Sequence, residues 1–242
     1  MILANVRARF TRQDAQLVVA LLALIESVSA DALEARLREQ GLDPLLDDPH
    51  LLTGLCGSPL GASASLPLFS YVVARHALLQ SGEQDRVLAD YAAALLLEFG
   101  LRDRAHRIAD TDDEWYDTLA KLLADATGPD PRRTFLVRAH LGNYALWLAG
   151  LFPDYIEHRR WRRGGPALDY FDELGTRGFQ LAAEHRVANE QGLTPLYQRA
   201  AERFAVIRVA LNRVSDTLLF PTGNSPERLM RQVRDEARWR AA

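Results

Sequence analysis

Apolar positions along this chain recur at three- and four-residue spacing, and caps and stops cut that pattern into helices. Thr11 followed by Asp14 reads as a capping box ahead of an apolar run that ends near Glu26. Ser29 opens the next segment, where Leu33 and Leu37 stand one turn apart and Gly41 marks the stop. Ser65 caps a helix that stops at Gly82, and a helix over 83–107 is interrupted by Gly100. Thr111 or Asp112 opens the next one, closed by Gly128 and Pro129. A long helix follows over 131–149, then a short one begun by Pro153 and ended at Gly164. Helices over 167–191 and 194–219 and a last one from Pro226 complete the chain. No period-two alternation bounded by turn dipeptides and no solenoid-length repeat is found. The pattern predicts an all-α, single-domain bundle of roughly ten helices without repeats. That domain spans 1–242, with 57–65, rich in Gly, Ser and Pro, as a flexible loop or linker.

The helix over 131–149 is apolar on nearly every bearing, which predicts a buried central helix. His140, Asn143, Tyr144 and Trp147 recur at i, i+3, i+4 and i+7 and share one face. A buried His and Asn need hydrogen-bond partners. Two arrangements satisfy them: bonds to neighbouring backbone or trapped water, or a pocket shared with Tyr144 and Trp147. On the 194–219 helix, Arg208 and Asn212 lie one turn apart beside an apolar face, a second place for a polar pocket. A partly buried Arg208 needs an acceptor, which a carboxylate elsewhere in the fold supplies.

The segment after Pro153 places Asp154 and Glu157 early and Arg159, Arg160, Arg162 and Arg163 late, around Trp161. That order complements a helix dipole, and Asp154 can pair with His158 one turn on. The same residues, Arg159, Arg160, Trp161, Arg162 and Arg163, are also a candidate anion or partner site. Gly175, Gly178 and Ala182 share a face of the 167–191 helix, so another backbone is expected close by. The last helix is amphipathic through Leu229, Met230, Val233 and Ala237 and ends near Trp239, with its basic side expected outward.

The order Asp112, Asp113, Asp117 resembles the aspartate-rich magnesium motif of all-helical isoprenoid synthases. Those enzymes also carry Asn, Ser and Glu at four-residue spacing, whereas here Ser215 follows Asn212 by three and no glutamate follows. Acids at a helix start need no metal to explain them.

Composition narrows the classes. With 48% hydrophobic and 25% charged residues, the chain is an ordinary globular one. A net charge of −3 makes nucleic acid an unlikely main partner. Lys121 is the only lysine, so the arginine content reads as a coding bias. Cys56 is alone, which excludes an intramolecular disulfide or a cysteine zinc cluster. The start lacks the order of a signal peptide, and no apolar run reaches the about 20 residues of a membrane span. A cytoplasmic protein is expected, without membrane association, metal or cofactor. Phosphate loops, nucleophile elbows and metal-ligand sets are missing from the sequence. The leading expectation is a non-catalytic helical binding or interaction protein, with a protein partner or a second copy of itself. The alternative is a small-molecule enzyme with a pocket around His140, Asn143, Tyr144 and Trp147, hooked to an anion by Arg159 or Arg208. Anion or nucleic-acid binding through 159–163 is third.

Overall fold

The computed structural model describes residues 1–101, 103–109, 112–223 and 225–241, with the side chains of the last helix described through Asp235. The described residues form fourteen α-helices and no strand. Contacts gather into two compact units, Ile2–Leu97 and Glu98–Ala242 with Met1.

In the first unit, α1 (Arg12–Glu26), α2 (Ala30–Gln40), α5 (Leu66–Gln80) and α6 (Arg86–Phe99) follow the apolar periodicity. The capping box forms: Asp14 N–H donates to Thr11 Oγ1 at 3.2 Å, and Thr11 N–H donates to Asp14 Oδ2 at 2.8 Å. Ser29 and Ser65 cap α2 and α5 as expected. Segment 43–57 forms two further short helices, α3 (Asp43–Leu46) and α4 (Pro49–Gly57), and Pro59–Ser63 is a 3-10 turn capped by Ser58. Proline in the first turn starts both α3 and α4, and Asp48 caps α4 through His50 N–H. Arg75, 1% exposed, donates to both oxygens of Asp47 at 2.7 and 3.1 Å and to the Gln84 carbonyl at 2.9 Å. A buried arginine is thereby paired and hydrogen-bonded, as a desolvated charge requires.

In the second unit, α7 is Leu119–Asp125, α8 is Pro131–Leu151, α9 is Pro153–Arg163 and α10 is Leu168–Ala183. Then come α11 (Arg186–Glu190), α12 (Thr194–Glu202), α13 (Phe204–Val214), a π-helical turn at Ser215–Leu219, and α14 (Pro226–Ala241). Two expected helices are each broken once. A turn at Glu184–His185 separates α10 from α11, where the His185 side chain accepts from Val187 N–H and caps α11. Arg203 leaves helical geometry between α12 and α13. The helix expected from 111 or 112 starts instead at Leu119, capped by Thr118. Thr111, like Asp110, lies outside the described residues.

α8 is buried over almost its whole length, and α10 is its most extensive neighbour, followed by α13 and α7. The closeness of α8 and α10 has a specific cause. A Cβ built on Gly178 would stand 2.6 Å from the Gly142 nitrogen and 3.1 Å from the Arg138 carbonyl oxygen. One on Gly142 would enter the Phe179 ring, and one on Gly175 would enter the Phe204 ring. Backbone therefore packs on backbone, and the aromatic rings of α10 and α13 fill the space that side chains would have taken.

Near its C-terminus α8 meets a second constraint. Pro153 has no N–H for the Ala149 carbonyl four residues back. Asn212 Nδ2 takes that place, donating to Ala149 O at 2.6 Å and Gly150 O at 2.8 Å, and Ser215 Oγ donates to Leu151 O at 2.8 Å. Gly178→Ala forces two backbones apart, a change that costs roughly 1–3 kcal/mol and lowers the melting temperature by about 2 °C or more. Thermal unfolding followed by circular dichroism checks this, and a melting curve equal to that of the parent removes the close-packing claim.

Candidate functional site

The face of α8 turned away from Gly142 carries His140, Tyr144 and Trp147. Their rings form a ladder: His140 to Tyr144 is 6.1 Å between centroids, and Tyr144 to Trp147 is 5.8 Å. Phe99 packs on His140 at one end, and Phe152 meets Trp147 edge-on at 4.9 Å at the other.

Below Tyr144 and Trp147 the unit opens into a cavity of about 440 Å³. α8 supplies Tyr144, Trp147 and Leu148; α9 supplies Tyr155, Ile156 and Arg159. His106, the residues 117–120 at the start of α7, and Pro166, Tyr170 and Phe171 close the remaining sides. The volume suits a drug-sized ligand, and a mostly apolar wall with few polar groups is the usual make-up of such a site.

His106 is the best-positioned polar group there. Its Nδ1 lies 2.9 Å from the Tyr116 carbonyl, and Trp115 stacks on the ring at 4.4 Å and 13°. A carbonyl only accepts, so the neutral imidazole carries its proton on Nδ1 and keeps Nε2 as the unprotonated nitrogen. Tyr144 donates to the Asp117 carbonyl at 3.3 Å, and burial pushes its phenol up to about 12.

The structure divides the residues singled out in the sequence. Tyr144, Trp147 and Arg159 meet at the cavity. His140 does not reach it: the residue is 3% exposed and its Nε2–H donates to the Ala105 carbonyl at 2.9 Å. Burial, aided by the nearby Arg104 charge, pushes its pKa down to about 3, so it is neutral and no base for a ligand. Asn143 is buried within α8. Arg208 and Asn212 form a buried clamp instead: Arg208 pairs with Asp172 at 2.9 Å and Asp235 at 3.4 Å, and donates to Asn212 Oδ1 at 2.9 Å.

The α9 arginines are engaged differently from one another. Arg159 Nη1 donates to Tyr155 OH at 3.3 Å at the cavity rim. Arg160 pairs with the buried Glu157 at 3.5 Å and sits over Trp161, while Arg162 and Arg163 are exposed. Asp154, expected to pair with His158, is bound to Arg228 at 2.8 Å and Arg231 at 3.1 Å.

The described part of α14 reverses the expected orientation. Arg228, Arg231 and Asp235 are buried, whereas Leu229, Met230 and Val233 are 59, 58 and 68% exposed. Asp154 and Asp216 hold the buried cations, with Arg231 2.7 Å from Asp216, and the half-buried Arg234 stands 3.2 Å from Glu157. The side chains of Ala237 and Trp239 lie outside the described residues.

Asp112 is ion-paired with Arg133, which also donates to Tyr116 OH at 2.8 Å. Asp112 and Asp117 stand on irregular chain rather than on one helix face, the reverse of what the synthase-like motif needs. Among the described residues, Glu26, Asp48 and His50 of the first unit bring three ligand-type atoms within 4.8 Å of one another. Arg36, 3.7 Å from Asp48, already places a cation beside that group.

No family model, curated protein or solved structure matches the chain.

His106 was missed because it sits in a 3-10 turn, Arg104–His106, where the helix expected over 83–107, interrupted at Gly100, was to resume.

Burial holds the folded His140 pKa below its ordinary 6.5, so the unfolded chain takes up that proton first as pH falls. The stability contribution is complete above about 6.5 and drains away toward about 3. Denaturant unfolding at pH 5 and pH 8 measures it: about 2 kcal/mol less stability at pH 5 from this group, absent in His140→Gln. A His140 ring that titrates near 6.5 by NMR contradicts the assignment.

Proposed function

We propose that this chain is a helical binding protein whose ligand is a small, largely apolar molecule held in the α8–α9 cavity. The observation that carries the reading is the cavity itself, about 440 Å³ and walled by Tyr144, Trp147, Tyr155 and Phe171. Large rigid side chains supply contact area at low entropic cost and favour flat ligands through stacking. The reading is one of binding: His140, the base expected from the sequence, is sealed behind Tyr144 and neutral. Ala120 stands exposed on the rim, so Ala120→Trp adds bulk to the cavity without entering the core. The neutral fluorophore N-phenyl-1-naphthylamine should bind the parent saturably at one site per chain, and the Ala120→Trp variant at least tenfold more weakly (about 1.4 kcal/mol). An enhancement that never saturates, or that Ala120→Trp leaves unchanged, rejects the reading.

A second reading is favoured by α14. Its exposed Leu229, Met230 and Val233 fit a second copy of the chain better than solvent. A two-fold interface uses one patch on both subunits. An antiparallel pairing of two α14 helices lays Leu229, Met230 and Val233 of one copy against the same three residues of the other. Light scattering on a dilution series should give a dimer mass for the parent and a monomer mass for Val233→Glu. A parent that stays monomeric at the highest concentration removes the homo-oligomer.

A further inference from the structure

We infer that the cavity selects ligands that carry one negative charge beside an apolar ring system, with Arg159 as the residue that reads the charge. The inference rests on the cavity being a binding site. Its ligand class is then an aromatic or alicyclic monocarboxylate, or an acid of equivalent shape.

The lining holds two formally charged groups of opposite sign, Arg159 and Asp117. Their surroundings decide between them. Arg159 belongs to the arginine-rich half of α9, with Arg162 and Arg163 exposed one turn further on. The acid in the middle of that helix, Glu157, is buried and held by Arg160 at 3.5 Å and Arg234 at 3.2 Å. Asp154 is likewise taken by Arg228 and Arg231. The acids of α9 are thus spent on α14 and on Arg160, and its cavity side is left with surplus positive charge. Asp117 brings a single carboxylate, exposed to solvent as Arg159 is, so screening weakens both and the neighbouring arginines of α9 make the difference. Arg159, Arg162 and Arg163, spaced i, i+3, i+4 on α9, also steer ligands of the opposite sign.

The geometry of Arg159 suits this role. Its guanidinium carbon stands 5.8 Å from the centre of the Tyr155 ring, and Nη1 donates to Tyr155 OH at 3.3 Å. That bond uses one of five donors and anchors the fork at the rim, leaving donors for a carboxylate. Elsewhere in the lining, His106 Nε2 is a hydrogen-bond acceptor in the neutral ring, because Nδ1–H is engaged by Tyr116 O. An acceptor there suits a ligand hydroxyl or N–H and disfavours a second anionic group. One charge, one donor and an apolar body describe the ligand.

The test compares three probes that share a ring and differ in charge: 1-naphthaleneacetate, neutral 1-naphthaleneacetamide and cationic 1-naphthylethylammonium. Calorimetric titration of the full chain at pH 7.5 and low salt should rank the acetate tightest, about tenfold over the amide, with the ammonium weakest. Arg159→Met should weaken the acetate about tenfold and the amide far less, so that the preference between the two is lost. Arg159→Lys should restore part of the preference, and circular dichroism confirms that both variants fold. Equal binding of the three probes overturns the inference while the cavity stands as a binding site. Tightest binding of the ammonium also overturns it and gives the charge reading to Asp117. If none of the three binds and N-phenyl-1-naphthylamine does, charge selection falls alone. If that neutral fluorophore fails too, the binding reading falls with it.

Discussion

The second unit depends on one close approach. Gly142 and Gly178 let α8 and α10 meet backbone to backbone, and no other residue type fits at Gly178 without moving the Gly142 nitrogen. Packed interiors do not deform gradually to accept an extra carbon. With α10 pressed on one side, α8 offers its opposite side to the aromatic ladder and the cavity. The Phe179 and Phe204 rings, seated where glycines leave room, carry α10 and α13 into the same core. The site is therefore a consequence of the packing: the small residues set where the large ones can stand.

The polar groups divide by what burial demands of them. A desolvated group must be bonded, and the structure meets that demand by using polar side chains as substitutes for missing backbone donors. Asn212 replaces the N–H that Pro153 lacks, and Ser215 completes the set at Leu151. His140 spends its ring N–H on Ala105. Each of these residues carried a chemical alternative in the sequence, and each is consumed by the fold. The groups left at the cavity, Arg159 and His106, each spend one side-chain hydrogen bond, on Tyr155 and on the Tyr116 carbonyl, and keep donors or an acceptor for a ligand.

Much of the fold was legible because its signals are local. Thr11, Ser29 and Ser65 cap the helices they precede, and Gly164 stops α9 in the left-handed conformation that favours glycine. The Gly175/Gly178 face announced a close neighbour. The breaks at 184–185 and at Arg203 were not legible, since nothing apolar, proline or glycine marks them, and tertiary packing sets them. Half of the site was legible from the i, i+4, i+7 spacing of His140, Tyr144 and Trp147. That spacing gives a face but no depth, so it could not separate the sealed His140 from the accessible Trp147. His106 and the inverted burial of α14 were hidden for one reason. Both rest on partners distant in sequence: His106 stacks among α8 aromatics, and Arg228 and Arg231 find Asp154 some seventy residues earlier. Patterning assigns apolar residues inward, and only a paired set of carboxylates reverses it.

A crystal structure of the chain soaked with 1-naphthaleneacetate tests the central claim most directly. The account predicts ring density between Trp147 and Phe171 with the carboxylate on Arg159, and α8 unmoved against α10. A cavity filled by the chain's own Trp147 or Tyr155, or a ligand seated elsewhere while this cavity stays empty, contradicts it.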